Sequence, residues 1–162
     1  MSSTERIAAS GTVEASPARV FAIVSDPAMH VVIDGSGMLE AAPGSRPLTA
    51  VGDTFEMDMD REPLGDLPMG KYKVVNTVTR IVPDALIEWN VGTPEYGPAG
   101  HVYGWEIVPE GPERSRVTNY CDWSEIRPAV RERVTFPVVP LAMMEESVER
   151  LAETVRGSGP PA

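Results

Sequence analysis

Hydrophobic and polar residues alternate along most of the chain, and the period lengthens only near its end. Over residues 54–60, Phe55, Met57 and Met59 alternate with Thr54, Glu56, Asp58 and Asp60. That period of two marks a half-buried antiparallel strand with the carboxylates in water. The same period recurs over residues 71–82 (Tyr72, Val74, Asn76, Val78) and 86–91 (Ile87, Trp89, Val91). It returns over residues 101–108 (His101, Tyr103, Trp105, Ile107) and 116–124 (Val117, Asn119, Cys121, Trp123). From Pro140 the spacing becomes three and four: Leu141, Met144, Val148, Leu151 and Val155 share one helix face. Glu145, Glu146, Glu149, Arg150, Glu153 and Arg156 occupy the other face, Pro140 suits the first turn and Gly157 the end.

The start of the chain adds a weak strand over residues 6–14 and then two helix-start signals. Ser16-Pro17 and Asp26-Pro27 each place a capping side chain before a proline, predicting two short helices at an angle. Residues 38–41 read as a short strand, and residues 125–137, bracketed by Pro128 and Pro137, as an irregular, partly helical stretch. Two segments rich in Pro and Gly, residues 61–70 and 92–100, read as loops, the first with exposed apolar tips at Leu64 and Leu67. One amphipathic helix after a run of strands needs an apolar partner, and the sheet supplies it. The expected architecture is α+β: a curved antiparallel sheet of about seven strands wrapped on a long C-terminal helix. Residues 1–157 are expected to form one domain and residues 158–162 a loose tail.

Composition narrows the function classes. A net charge of -10, from 14 Lys+Arg against 24 Asp+Glu, argues against a nucleic-acid partner, whose phosphates would be repelled. The single cysteine, Cys121, and two distant histidines cannot assemble a zinc set, and no glycine loop suited to phosphate is present. No cofactor is expected. The N-terminus lacks a signal pattern and no apolar run reaches membrane-spanning length, so a soluble, cytoplasmic protein without stable membrane insertion is expected. A homodimer is neither predicted nor excluded.

Several stretches resemble one superfamily. Residues 15–27 (Ala15, Ser16, Pro17 through Ser25, Asp26, Pro27), residues 30–37 and Asn76-Thr77-Val78 carry the likeness. So do the pair Ile87 and Trp89, Arg116-Val117-Thr118, Asp122-Trp123-Ser124, and Ser147 with Arg150-Leu151-Ala152. Together with the element order they resemble the SRPBCC superfamily. Its helix-grip fold is shared by START lipid-transfer domains, the birch-pollen allergen, plant abscisic-acid receptors and bacterial polyketide cyclase/dehydrase-like proteins. The resemblance is nearest to that last, bacterial branch. It implies the helix-grip fold, a cavity between sheet and final helix, and a ligand-closing gate at residues 61–70 facing the loop at 92–100. Fold alone does not fix function.

The inward phases are rich in large soft groups, a lining suited to irregular apolar ligands. The expected ligand-binding set is Phe55, Met57, Met59, Tyr72, Asn76, Trp89, His101, Tyr103, Trp105, Asn119, Cys121, Trp123, Met143 and Met144. The same stripes would also suit a solid core. Within the set, His101, Asn119 and Tyr103 are the candidate catalytic groups, and Asn76 could orient or polarise a ligand carbonyl. His101 serves either as a base or ligand partner, or simply ends a strand. Asn76 and Asn119 either face a wet cavity or bond to sheet backbone. Tyr72, Tyr96 and Tyr103 could donate at the cavity or rest with their hydroxyls at the core's edge. His30 is expected to bond the helix-to-strand turn, and Cys121 to act as a small buried apolar group. Three functions follow. The first is binding of a small hydrophobic molecule, lipid or polyketide-like. The second is a polyketide cyclase or dehydratase acting by proximity with acid/base help. The third is a protein-interaction module using the 61–70 loop.

Overall fold

The computed structural model describes residues 5–157; the tail expected at 158–162 lies outside them. Strand β1 (Arg6–Val13) is followed by helices α1 (Pro17–Val24) and α2 (Pro27–Ile33). Strands β2 (Leu39–Ala41), β3 (Thr54–Asp60), β4 (Lys71–Val82), β5 (Leu86–Thr93), β6 (Gly97–Gly111) and β7 (Arg114–Asp122) come next. A short helix α3 (Pro128–Arg131) and the long helix α4 (Leu141–Gly157) complete the chain. The strands form one seven-stranded antiparallel sheet in the order β1-β7-β6-β5-β4-β3-β2. After the crossover from β1, each strand lies beside its sequence neighbour, as short hairpins require. This is the α+β helix-grip architecture.

Local chemistry explains the early helices. Ser16 Oγ accepts from Arg19 N–H at 3.2 Å and Asp26 Oδ1 from Ala28 N–H at 3.1 Å, while Pro17 and Pro27 occupy the first turns. Each cap satisfies a donor that the helix leaves without a partner.

Glycine sets how closely α4 sits. A side chain on Gly35 would run into the Met143 carbonyl and Ser147 N–H, and one on Gly11 would meet Val148. Ser147 Oγ accepts from Gly35 N–H at 2.8 Å and so pins the end of α2 onto α4. Helix α4 buries Met144, Ser147, Val148, Leu151 and Val155. Leu141, expected on the same stripe, is 43% exposed, because it opens the helix between Pro140 and Ala142, both exposed as well.

The outer face of the sheet carries the acidic phase as expected. Lys73 on β4 meets both Glu56 and Asp58 of β3, at 3.0 and 2.9 Å. The segment 92–100 differs from expectation. Strands β5 and β6 run to Thr93 and Gly97, paired Gly92 with Pro98 and Thr93 with Gly97, leaving a tip of only Pro94, Glu95 and Tyr96. A Cβ on Gly92 would lie 2.7 Å from the Gly97 backbone, so the glycine serves a tight, bulged pairing rather than a loop. In the 61–70 segment, a 3-10 turn (Glu62–Leu64) draws Leu64 partly inward; Leu67 is also half-buried, and Met69 is the exposed apolar tip.

Candidate functional site

The concave face of the sheet and α4 touch along only part of their length. At the end where β3, β5 and β7 finish and β4 and β6 begin, they part to enclose a cavity of about 510 Å3. Strands β3 to β7 supply its floor, α2 and the first half of α4 its sides, and residues 127–139 its far wall. The in-phase residues Met57, Met59, Tyr72, Asn76, Trp89, His101, Tyr103, Trp105, Asn119 and Met144 all line it.

Four others of the expected set do not. Phe55 lies behind His30, edge-on to its ring at 5.5 Å and to Trp89 at 5.8 Å. Cys121 is covered by Tyr103, its partner across β6 and β7 and in hydrogen-bonding contact with it. Trp123 stacks on Phe136 at 6.1 Å, so Phe136 takes the cavity surface in its place. Met143 sits one position round α4 from Met144, half-buried, with its carbonyl facing Gly35.

Sequence reasoning passed over other lining residues. Arg61 stands at the mouth, 5% exposed. It donates from Nε and Nη2 to the two oxygens of Asp66, each at 2.8 Å, and also reaches Tyr72. The alternation Phe55, Met57, Met59 extends to Arg61, and that phase was the signal for it. Ile33, Val130, Val134, Phe136 and Val139 come from α2 and the irregular segment, while Tyr96, already a candidate donor at the cavity, reaches it from the hairpin tip. Little periodicity marks those stretches. His30 both lines the cavity and holds the turn: its Nε2–H donates to the Val24 carbonyl at 2.6 Å, and its ring stacks on Trp89 at 4.7 Å.

The two asparagines part company. Asn119 Nδ2 donates to the Gly104 carbonyl at 3.0 Å, a bond to sheet backbone. Asn76, 5% exposed, has its Oδ1 buried with no partner among the described residues. His101, 8% exposed, leaves Nδ1 in the same condition, its ring edge-on to Phe136 at 5.0 Å and Tyr103 at 5.7 Å. These two groups lie two strands apart on the floor, a separation of about 10 Å by sheet spacing. Burial without a compensating charge holds the His101 pKa down to about 4, so the ring is neutral at physiological pH and one nitrogen accepts. Burial likewise lowers the pKa of His30, raises that of Tyr103 and pushes the Cys121 thiol up to about 12. Cys121 is therefore an inert thiol. Among the described residues no group of three or more His, Cys, Asp or Glu is arranged to hold a metal ion.

Known proteins place this geometry in a fold class. No family model matches the chain. Two curated Mycobacterium tuberculosis proteins do. Uncharacterized protein Rv0088 is 34% identical over 118 residues, and uncharacterized protein MT0096 is 33% identical over the same length. In each case the match covers 73% of this chain and 47% of the relative, so the chain spans about half the length of the curated relatives it matches. Solved structures match almost end to end. Protein Ms6760 from Mycobacterium smegmatis aligns with a TM-score of 0.66 at 12% identity, covering 96% of this chain and 93% of that one. The AHSA1-like protein from Aeromonas hydrophila aligns with a TM-score of 0.59 at 16% identity, covering 95% and 94%. The shared fold is the curled sheet gripping a C-terminal helix. No helix among the described residues is long and apolar enough to cross a membrane.

Proposed function

We propose that this chain is a single ligand-binding domain that takes one small, mainly apolar molecule, lipid- or polyketide-like, into the cavity between the sheet and α4. The observation carrying this reading is the cavity itself. Its volume of about 510 Å3 falls inside the range of small-molecule sites, and methionine, aromatic and aliphatic side chains make most of its wall. Apolar burial supplies affinity, at ~25 cal/mol per Å2 before ordering costs. The few polar atoms set orientation.

Native mass spectrometry of the purified protein should show a co-purifying hydrophobic ligand. In the emptied protein, neutral N-phenyl-1-naphthylamine should bind saturably at one site, and Val91→Trp, which fills the floor, should abolish that binding. A folded protein with no saturable site, or one indifferent to Val91→Trp, overturns the reading. A cyclase or dehydratase acting on a bound polyketide-like chain is the second reading. His101, a neutral imidazole with a free ring nitrogen on the cavity wall, is the feature in its favour. Asn119 contributes less to it, since its amide N–H is already given to Gly104.

A further inference from the structure

The distribution of charge around the cavity runs opposite to that of the chain. The protein carries 24 Asp+Glu against 14 Lys+Arg, yet the cavity is lined by three arginines, Arg61, Arg127 and Arg133, and one carboxylate, Asp34. Asp34 is already engaged. Its Oδ1 accepts from Ser36 N–H and Ser36 Oγ–H at 3.0 and 2.7 Å, and its Oδ2 from Leu39 N–H at 3.3 Å.

The three arginines come from different parts of the sequence but share one end of the fold. Arg61 follows β3, and Arg127 and Arg133 flank α3, which follows β7; both strands finish at the cavity mouth. Arg127 is fixed there by its N–H, which donates to the Ala99 carbonyl at 2.8 Å at the start of β6. The Arg61 guanidinium is neutralised by Asp66, whereas Arg127 and Arg133 are exposed and form no ion pair with a described residue. The acidic neighbours on the same wall and on the facing hairpin, Glu125, Glu132 and Glu95, do not line the cavity. Further in, the unpaired Asn76 and His101 offer hydrogen bonds and no charge.

We infer that the ligand is an amphipathic anion: its apolar body lies along the sheet floor and its carboxylate or phosphate sits at the mouth between Arg127 and Arg133. This rests on the ligand-binding reading above and adds the class of head group. The physical reason is that an ionised head loses hydration on entering an apolar cavity, so an unaided cavity favours the uncharged analogue. Local cations reverse that order through charge-assisted hydrogen bonds. The charge of the rest of the chain opposes anions, and Arg127 and Arg133 are the cations at the mouth without an ion pair among the described residues.

The test displaces N-phenyl-1-naphthylamine with three ten-carbon probes of equal tail: decanoate, decanol and decylammonium, at pH 7.5. Decanoate is expected to bind about tenfold more tightly than decanol, with decylammonium weakest. The preference should shrink between 0.05 and 0.5 M salt, as exposed charges require. It should disappear in the double variant Arg127→Gln/Arg133→Gln, read as the ratio of decanoate to decanol affinity, in which any change in dye binding cancels. Decanol binding as tightly as decanoate, or a preference that survives in the double variant, overturns the inference while leaving the cavity reading intact. Failure of all the probes and of the dye to bind overturns both.

Discussion

The two halves of the interior are built from different residues although one helix runs through both. Around the C-terminal half of α4, Leu151 and Val155 are buried together with Val13, Val20, Val24 and Val117, all at 2% exposure or less. Those residues are leucine and valine without a polar atom in their side chains, and none of them lines the cavity. Around the N-terminal half, the facing groups are Met57, Met59, Trp89, Tyr103, Trp105 and Met144, with Asn76 and His101 among them. Branched aliphatic side chains interdigitate into a closed seal, whereas long, adaptable and ring-shaped ones line the space that opens where sheet and helix diverge and can adapt to what fills it. The helix is thus a plug at one end and a wall at the other.

The largest test of that contrast is truncation in the seal. Leu151→Ala should lower stability by about 2–5 kcal/mol, read by urea denaturation, because the surrounding valines cannot collapse into the space. The matching truncation on the cavity wall, Met59→Ala, should cost about 1 kcal/mol, since it enlarges a space that already exists. Equal losses at the two sites would remove the distinction between seal and wall.

Titration comes next. The folded-state pKa of His101 is about 4 and its ordinary value is 6.5. Between those pH values the unfolded chain binds a proton that the folded chain refuses. Stability is therefore complete above pH 6.5 and falls as the pH drops toward 4, by up to about 3 kcal/mol. Burial lowers the pKa of His30 too, which adds to the loss in the same direction. Denaturation midpoints at pH 7 and pH 5 measure the effect, and His101→Leu should flatten the slope to the share of His30. A slope unaffected by that substitution would mean that water reaches the His101 ring.

How far the sequence showed this division depends on the element. Period-two alternation made the sheet floor legible, because each inward phase is set by the pleat and a strand cannot show both faces to the core. The same logic extends to Arg61, but its place at the head of a Pro/Gly segment hid an inward-facing cation that its phase with Met57 and Met59 discloses. Helical spacing correctly grouped Met144, Val148, Leu151 and Val155 and wrongly included Leu141. Spacing reports a shared face without reporting which of its positions are covered. Residues 127–139 have little repeat from which their side could be read, so no pattern in the sequence marks Val130, Val134, Phe136 and Val139 as cavity wall. Asn76 and Asn119 are the sharpest case. They are the same residue in the same phase on different strands, and only the placement of the Gly104 carbonyl separates the satisfied amide from the unsatisfied one.

That difference gives the smallest and most discriminating prediction. An amide oxygen buried without a partner among the described residues is a cost that folding absorbs, on the order of 1–3 kcal/mol for a lost hydrogen bond. Replacing it by an apolar group of similar size removes the cost. Asn76→Leu should therefore leave the protein as stable as before or raise its stability by about 1 kcal/mol, measured in urea at pH 7.5. At Asn119 the same substitution breaks an existing bond and leaves the Gly104 carbonyl without it, so Asn119→Leu should destabilise by about 1 kcal/mol. The opposite signs are the diagnostic. A loss of stability in Asn76→Leu would show that its amide is paired in solution, by water inside the cavity, and the floor would then be wet rather than held open for a ligand. If Asn76→Leu instead raises stability while weakening retention of the co-purified ligand, the unpaired oxygen marks a place where fit to a ligand has been kept at the expense of the fold.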